Sequence, residues 1–168
     1  MYQAFYNLRV ELFFVEGDYP AVEYPHPKDP NKVYIESIEN QPYYLQISNQ
    51  RVTPIEVVIS LDGINPLSPS GARSSLKDKG ILVEPKSITK YRVSQFVFPK
   101  EFNLNPLTNP CPGSIGLAFW HVREDGTRAL SPFWIPVIRY ESVSQLKELG
   151  IIVLNPDLAN REFSKVFF

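Results

Sequence analysis

The side chains with the widest chemical range are scarce in this sequence of 168 residues, which has two histidines, His26 and His121, and one cysteine, Cys111. A cysteine and a histidine can form a nucleophilic dyad, and both residue types ligate zinc. Neither histidine has a second histidine or a cysteine at metal-ligand spacing, so we predict neither a metal site nor a cofactor. Flanking prolines keep Cys111 from the helix N-terminus that would activate its thiol, which favours a buried structural cysteine over a dyad.

Two aspartates stand directly before a glycine, at residues 62–63 and 125–126. A carboxylate can act as a general base, but Asp-Gly is also a common tight-turn sequence because both residues tolerate positive φ. We therefore predict turn or other structural roles for Asp62, Gly63, Gly80, Gly113, Asp125 and Gly126. Gly63→Val is expected to cost more stability than Asp62→Asn, since valine is strained at positive φ.

Further motifs of catalysis are missing from the sequence. It has no glycine-rich phosphate loop and no Gly-x-Ser-x-Gly, so the protein is predicted not to be an enzyme. The net charge of -1 provides no positive field, which argues against nucleic acid as the main partner. Neither a signal peptide nor a membrane span is recognisable, so we expect synthesis in the cytoplasm.

Short apolar runs between turn signals predict eight to ten strands. Residues 8–12 alternate strictly between apolar and charged side chains, as in a strand with one solvated face, and residues 55–61 form a β-branched run. The other predicted strands cover residues 33–35, 43–47, 80–83, 87–98 with a bulge near 94–95, 114–122, 129–138 and, at the end, 151–154. One helix is predicted at residues 143–149, with Ser142 as its N-cap and Gly150 at its end.

This pattern predicts an all-β fold: an antiparallel β-sandwich, jelly-roll-like or immunoglobulin-like, with one short peripheral helix near the C-terminus. Residues 1–154 are predicted to form a single domain, and residues 155–168 a C-terminal arm. The proline-rich segment 17–32 is predicted to be an extended surface loop, because each proline removes a hydrogen-bond donor.

A series of short motifs runs through residues 49–120: Asn49, VVISLDGI at 57–64, GILVEP at 80–85, Tyr91-Arg92, FVF at 96–98 and GSIGLAF at 113–119. In order and spacing they resemble a family of small bacterial and phage β-proteins of unassigned function. That family has Ser-Val-Asp-Gly-Leu, Gly-Tyr-Val-Leu-x-Pro, Gly-Trp-Arg and Gly-x-Ile-Gly-Val-Ala-Phe, and Lys90 and Tyr91 depart from its Gly-Trp pair. The resemblance implies a β fold and a virion or assembly role, and it implies no catalytic residue.

We therefore expect a non-enzymatic structural or assembly protein that acts through protein–protein contacts, as an oligomer or with another structural protein, and that resides in the virion if it is viral. The C-terminal arm is predicted to bind this partner through Phe163, Val166, Phe167 and Phe168. An arm that folds back on its own sandwich is an equal alternative.

A carbohydrate-binding or adhesion module is the alternative function, in which exposed aromatic rings stack on sugars. The candidate rings are Tyr43, Tyr44, Trp120, Phe133 and Trp134. Core packing is the favoured interpretation of these five residues, because large aromatic side chains in a sandwich usually fill its interior.

Overall fold

The computed structural model of this chain describes residues 1–92, 98 and 111–152. Within these residues the chain forms eleven strands and one helix. In chain order they are β1 (Tyr2–Gln3), β2 (Leu8–Phe14), β3 (Tyr19–Pro20), β4 (Glu23–Pro25), β5 (Lys32–Glu36), β6 (Tyr43–Asn49), β7 (Ile55–Leu61), β8 (Ile81–Val83), β9 (Ser87–Tyr91), β10 (Ser114–His121), β11 (Val137–Glu141) and α1 (Val143–Glu148).

Strand β2 shows how the sequence produces this fold. Its first, third, fifth and seventh side chains are buried, and those between them face outward, as the alternating pattern predicts. Strands β6 and β7 instead carry apolar residues at successive positions, and most of these are buried. Such continuous apolar runs are typical of strands that are covered on both faces.

The strands form two sheets that enclose one main core. One sheet has the order β1-β2-β6-β9, with β3 also paired to β2, and the other has the order β4-β5-β11-β10-β7-β8. Leu45, Ile55 and Phe119 are fully buried between them. Burial of one such side chain contributes roughly 1.5 to 3 kcal/mol, so this core is a main source of stability. The predicted all-β sandwich is confirmed.

One pair of strands departs from the predicted antiparallel arrangement, because β11 runs parallel to β5. The return strand predicted at 129–138 becomes regular only at Val137, and residue 134 before it forms just an isolated bridge to β10. Pro132 and Pro136 explain this interruption, since they have no N–H to donate. The two prolines predict either an edge strand or two short pieces, and the structure agrees with the second: β11 itself lies between β5 and β10.

The proline-rich segment 17–32 is more regular than an extended loop, because it contains β3 and β4. Each of these strands ends in a proline, and β4 lies at the edge of its sheet, where a missing donor is tolerated. His26 stabilises the turn that follows: its Nδ1 accepts hydrogen bonds from the backbone N–H groups of Lys28 (3.1 Å) and Asp29 (3.0 Å).

The predicted C-terminal helix is confirmed in α1. The Ser142 Oγ accepts a hydrogen bond from the Gln145 N–H (3.2 Å), Leu146 is fully buried, and Gly150 has a φ of +69° just after the helix. Residues 151–152 form no strand; the Ile151 N–H instead donates to the Leu146 carbonyl. No helix in the described part of the chain is long and apolar enough to cross a membrane.

Several predicted features lie outside the described residues. They are the bulge near residues 94–95, positions 153–154 of the last predicted strand, and the C-terminal arm with Phe163, Val166, Phe167 and Phe168.

Residues 64–80 form a long connection that we call the flap, which covers part of the outer face of the six-stranded sheet. Arg128 holds it there, because its Nη1 donates to the Asp78 carbonyl (2.7 Å) and its Nη2 to the Leu76 carbonyl (2.6 Å). The same guanidinium lies 4.3 Å from the ring centroid of Trp120, which is buried in a small outer cluster with Val58 and Ala118.

Candidate interaction surface

The dipeptide at residues 62–63 forms a tight turn at the end of β7. Both residues have positive φ, +52° for Asp62 and +84° for Gly63, and Leu61 and Ile64 exchange backbone hydrogen bonds across them (2.8 and 2.9 Å). This conformation is the one that favours the Asp-Gly sequence.

The side chain of Asp62 does far more than a turn requires, because it is buried, with an exposed fraction of 7%. Its Oδ1 accepts hydrogen bonds from the backbone N–H groups of Gly113 (2.8 Å) and Ser114 (3.3 Å) and from the Tyr140 hydroxyl (2.5 Å). Burial raises the pKa of Asp62 and also that of Tyr140. No cavity with a described lining contains Asp62, so the geometry indicates a structural connection between β7, β10 and β11.

The remaining predicted turn residues lie apart from Asp62, with one exception, Gly113, whose N–H donates to it. Gly80 sits where the flap meets β7: a Cβ at this position would lie 2.6 Å from the Val57 carbonyl oxygen, which only glycine avoids. Asp125 and Gly126 form the exposed hairpin after β10, where the Asp125 Oδ1 accepts hydrogen bonds from the N–H and the hydroxyl of Thr127 (2.9 and 2.6 Å).

Cys111 is exposed, so the prediction of a buried cysteine was wrong. Two hydrogen bonds hold its backbone: its N–H donates to the Asp62 carbonyl (3.2 Å), and its carbonyl accepts from the Ser114 hydroxyl (2.6 Å). Its side chain lies outside the core. Cys111 precedes the start of β10 and His121 ends it, so about 23 Å of strand separates them. They form no dyad, and the described residues contain no cluster of three metal-ligating side chains.

The aromatic residues proposed for sugar stacking lie mostly inside the protein. Tyr43, Tyr44, Trp120 and Trp134 are all buried, with exposed fractions of 5% or less. Core packing is confirmed for Tyr43 and Trp134, which belong to the main core, whereas Trp120 is buried in the outer cluster. Phe133 is half-buried and packs with a centroid distance of 4.0 Å on the ring of His121.

Phe133 and His121 belong to one end of the sandwich, where three connections meet: residues 4–7, 50–54 and 122–136. We call this surface the Arg51 end. The Gln50 N–H donates to the Asn7 carbonyl (3.2 Å), and the Arg51 Nη1 donates to the Tyr6 carbonyl (3.2 Å). These bonds join the first two connections and fix Arg51 between them.

The guanidinium of Arg51 also contacts the third connection. Its Nη2 lies 3.4 Å from the His121 Nδ1, and its Cζ lies 5.4 Å from the centroid of the Phe133 ring. The Nε is buried and has no hydrogen-bond partner among the described residues. None of the ion pairs in the described residues includes Arg51, so no carboxylate of this part of the chain is paired with its positive charge.

Each of the three connections presents one highly exposed apolar side chain. Leu130 is 95% exposed, Phe5 86% and Val52 81%, the highest values among the large apolar residues that the structure describes. Phe5 packs edge-on against Tyr6 (5.0 Å), and Tyr6 contacts Phe133 (4.7 Å). The Arg51 end is therefore a surface with exposed apolar and aromatic side chains around a cation that has no ion pair among the described residues.

The charges at the margins of the Arg51 end are of both signs. The Lys86 Nζ donates to the Gln50 carbonyl (2.5 Å), which adds a second cation near Arg51. Glu84, Arg123 and Glu124 line an adjacent groove of about 330 Å³. Charged side chains of both signs thus surround Arg51 at this end.

The contact between His121 and Arg51 makes stability depend on pH. Burial and the Arg51 charge lower the pKa of His121 below its ordinary value of 6.5, so the unfolded chain takes up the proton first as the pH falls. We expect the free energy of unfolding in urea to decrease below about pH 6.5, by less than about 1 kcal/mol because the ring is partly solvated. His121→Phe should abolish this decrease and His26→Asn should retain it; equal pH profiles for the two variants would contradict the assignment.

Sequence reasoning did not single out Arg51, Phe5, Val52 or Leu130. The three connections are separated by at least forty residues of chain, so no local pattern brings them together. No family model matches the sequence, and no curated protein matches it.

Proposed function

We propose that this protein is a non-enzymatic binding and assembly module that engages another protein through the Arg51 end. The observation that supports it most is that Phe5, Val52 and Leu130, the three most exposed large apolar residues that the structure describes, lie one on each of the connections that meet at Arg51. Exposed apolar side chains on one part of a surface mark interaction sites more often than scattered ones do.

The chemistry of the surface defines the partner. Arginine and aromatic residues dominate the energetics of protein interfaces, and a partly buried guanidinium binds a carboxylate with two parallel hydrogen bonds. The buried Nε of Arg51 has no partner, and its Nη groups already contact Tyr6 and His121, so the guanidinium is held in place before binding. The expected occupant is a segment of another protein that presents a carboxylate between apolar side chains.

The resemblance of residues 49–120 to small bacterial and phage β-proteins supports a narrower proposal, in which that other protein is a structural component of a virion. Self-assembly is a distinct outcome of the same surface, in which a second copy of the chain supplies the carboxylate. The carbohydrate-binding alternative has no comparable support, because four of the five aromatic residues proposed for it are buried.

A displayed library of short peptides tests the proposal. Wild-type protein should enrich peptides with a carboxylate flanked by apolar residues, and their affinity should fall at least about tenfold for Arg51→Gln and for Phe5→Ser with Leu130→Ser. Leu67→Ser is the matched control, since Leu67 is 50% exposed and follows the turn after β7, at the opposite end of β7 and β10 from Ile55 and His121. It should bind the same peptides as wild type.

Two results would contradict the proposal: peptides that bind the Arg51-end variants as well as wild type, or selected peptides without acidic residues. Light scattering on the same proteins identifies self-assembly, since a second copy as the occupant requires a larger wild-type mass that Phe5→Ser with Leu130→Ser reduces.

A further inference from the structure

A second candidate site lies under the flap, on the outer face of the six-stranded sheet. It is a cavity of about 180 Å³ between β7, β10 and the flap. No predicted functional residue lines it, and Ile135 is its one described lining residue that belongs to a connection of the Arg51 end.

Small side chains create the floor of this cavity. Gly116 pairs with Ser60 across β10 and β7, and Ala118 pairs with Val58. A Cβ at Gly116 would lie 3.7 Å from the Ser60 Cβ, an ordinary contact, so neither φ nor a clash requires glycine here. The missing side chain instead leaves open volume.

Residues 74–76 of the flap form the opposite wall, and hydrogen bonds at Ser74 and Gly80 hold this part of the flap against the sheet. The Ser74 N–H donates to the Gly63 carbonyl (2.9 Å), and the Gly80 N–H donates to the Glu56 Oε1 (2.8 Å). With Arg128 holding the Leu76 and Asp78 carbonyls, the cavity is preformed.

The lining restricts what can bind. None of the described lining residues is charged, and Leu76 and Ile135 in the lining have exposed fractions of 54% and 47%. Ser60, Ser74 and Ser75 add hydroxyl groups, and the Ser74 Oγ is buried without a hydrogen-bond partner among the described residues. An apolar protein cavity of about 150 Å³ is large enough to bind benzene.

From this volume and lining we propose that the cavity binds one uncharged aromatic ring that carries a hydroxyl group, such as a phenol. The ring would lie on Gly116 and Ala118, and its hydroxyl would meet the serines of the wall. The same chemistry can come from a free phenolic compound or from a tyrosine of a partner protein, and experiment can distinguish these sources.

Titration of the protein with phenol, followed by calorimetry and by thermal unfolding, tests this proposal. Phenol should bind wild type saturably and raise its melting temperature. Gly116→Ala should weaken binding and Gly116→Val should weaken it at least about tenfold, because each added methyl group occupies the floor. Thr89→Val, on the other sheet, is the control and should bind like wild type.

The melting temperatures of the unliganded variants show whether they are folded; valine in a strand is expected to preserve folding. Phenol binding that is absent in wild type, or equal in a folded Gly116→Val variant, would overturn the proposal. N-acetyltyrosinamide distinguishes the sources: its binding indicates a tyrosine presented by a protein, and binding of phenol alone indicates a free ligand. In either case, the Gly116→Val variant must lose binding of the ligand.

Discussion

Asp62→Ala is expected to lower the free energy of unfolding by about 3 to 4 kcal/mol, and the melting temperature by roughly 10 °C. The substitution leaves two backbone N–H groups and the Tyr140 hydroxyl without their acceptor inside the protein. Each buried unsatisfied donor costs about 1 to 3 kcal/mol, and release of the buried carboxylate offsets part of this sum. Alanine is also strained at the φ of +52°. Urea denaturation measures the effect.

Three variants separate the contributions at Asp62. Asp125→Ala is the matched control, since Asp125 also precedes a glycine but is exposed, and its loss should cost less than about 1 kcal/mol. Tyr140→Phe removes one donor, and Asp62→Asn keeps a residue that tolerates positive φ with one carbonyl acceptor, so both should lie in between. Similar losses for Asp62→Ala and Asp125→Ala would show that Asp62 serves the turn alone.

This arrangement changes an expectation drawn from the sequence. If only the turn geometry mattered, Gly63→Val would destabilise the protein more than Asp62→Asn, because asparagine tolerates positive φ and valine does not. In the structure, Asp62→Asn also weakens hydrogen bonds to a buried charge, so the difference between the two variants should be smaller than the turn predicts. That ranking stays a prediction for the same denaturation series.

Asn49→Ala is expected to have the second large effect, a loss of about 3 kcal/mol in the free energy of unfolding. The side chain is fully buried at the end of β6, where its Nδ2 donates to the carbonyls of Thr53 (3.0 Å), Val83 (3.2 Å) and Glu84 (3.1 Å). Its Oδ1 accepts from the Arg51 N–H (3.1 Å). The substitution therefore removes the hydrogen-bond partner of polar groups in two other segments, residues 51–53 and 83–84.

Gln50→Ala provides the control for Asn49→Ala, because Gln50 is the next residue and is exposed. It should change stability by less than about 0.5 kcal/mol. Asn49→Asp should be at least as harmful as Asn49→Ala, since a carboxylate oxygen would face the carbonyls that the amide now donates to. A stable Asn49→Asp variant would show that this hydrogen-bond network contributes little. Because the Asn49 Oδ1 accepts a hydrogen bond from the Arg51 N–H, Asn49→Ala and Asn49→Asp should also weaken peptide binding at the Arg51 end.

Several motif residues on which the inferred family resemblance depends have backbone or packing roles in the structure. Asn49 joins three segments, residues 62–63 make the turn after β7, Gly80 allows close contact with Val57, and Gly113 donates to Asp62. Motifs made of such residues indicate a fold, because each residue meets a local geometric constraint of the backbone. The proposed binding surface at Phe5, Arg51, Val52 and Leu130 mostly lies outside these motifs.

Most of the individual strands and the helix of this protein could be predicted from local sequence alone. The alternation in β2, the β-branched run of β7 and the cap at Ser142 each depend on neighbouring residues, because the periodicity of a strand and the orphan N–H groups of a helix are local properties. The two Asp-Gly turns follow from the same kind of information, since φ is set largely by the residue and its immediate neighbours.

The contacts between these elements could be seen only in the tertiary structure. The same Asp-Gly dipeptide is a buried hydrogen-bond centre at Asp62 and an exposed hairpin at Asp125, because only Asp62 is covered by the segment before β10 and by Tyr140. The parallel pairing of β5 with β11, the exposure of Cys111 and the meeting of three connections at Arg51 likewise depend on which distant segments come into contact. Local periodicity sets which face of a strand is apolar, whereas the partner of that face is chosen by packing across the whole chain.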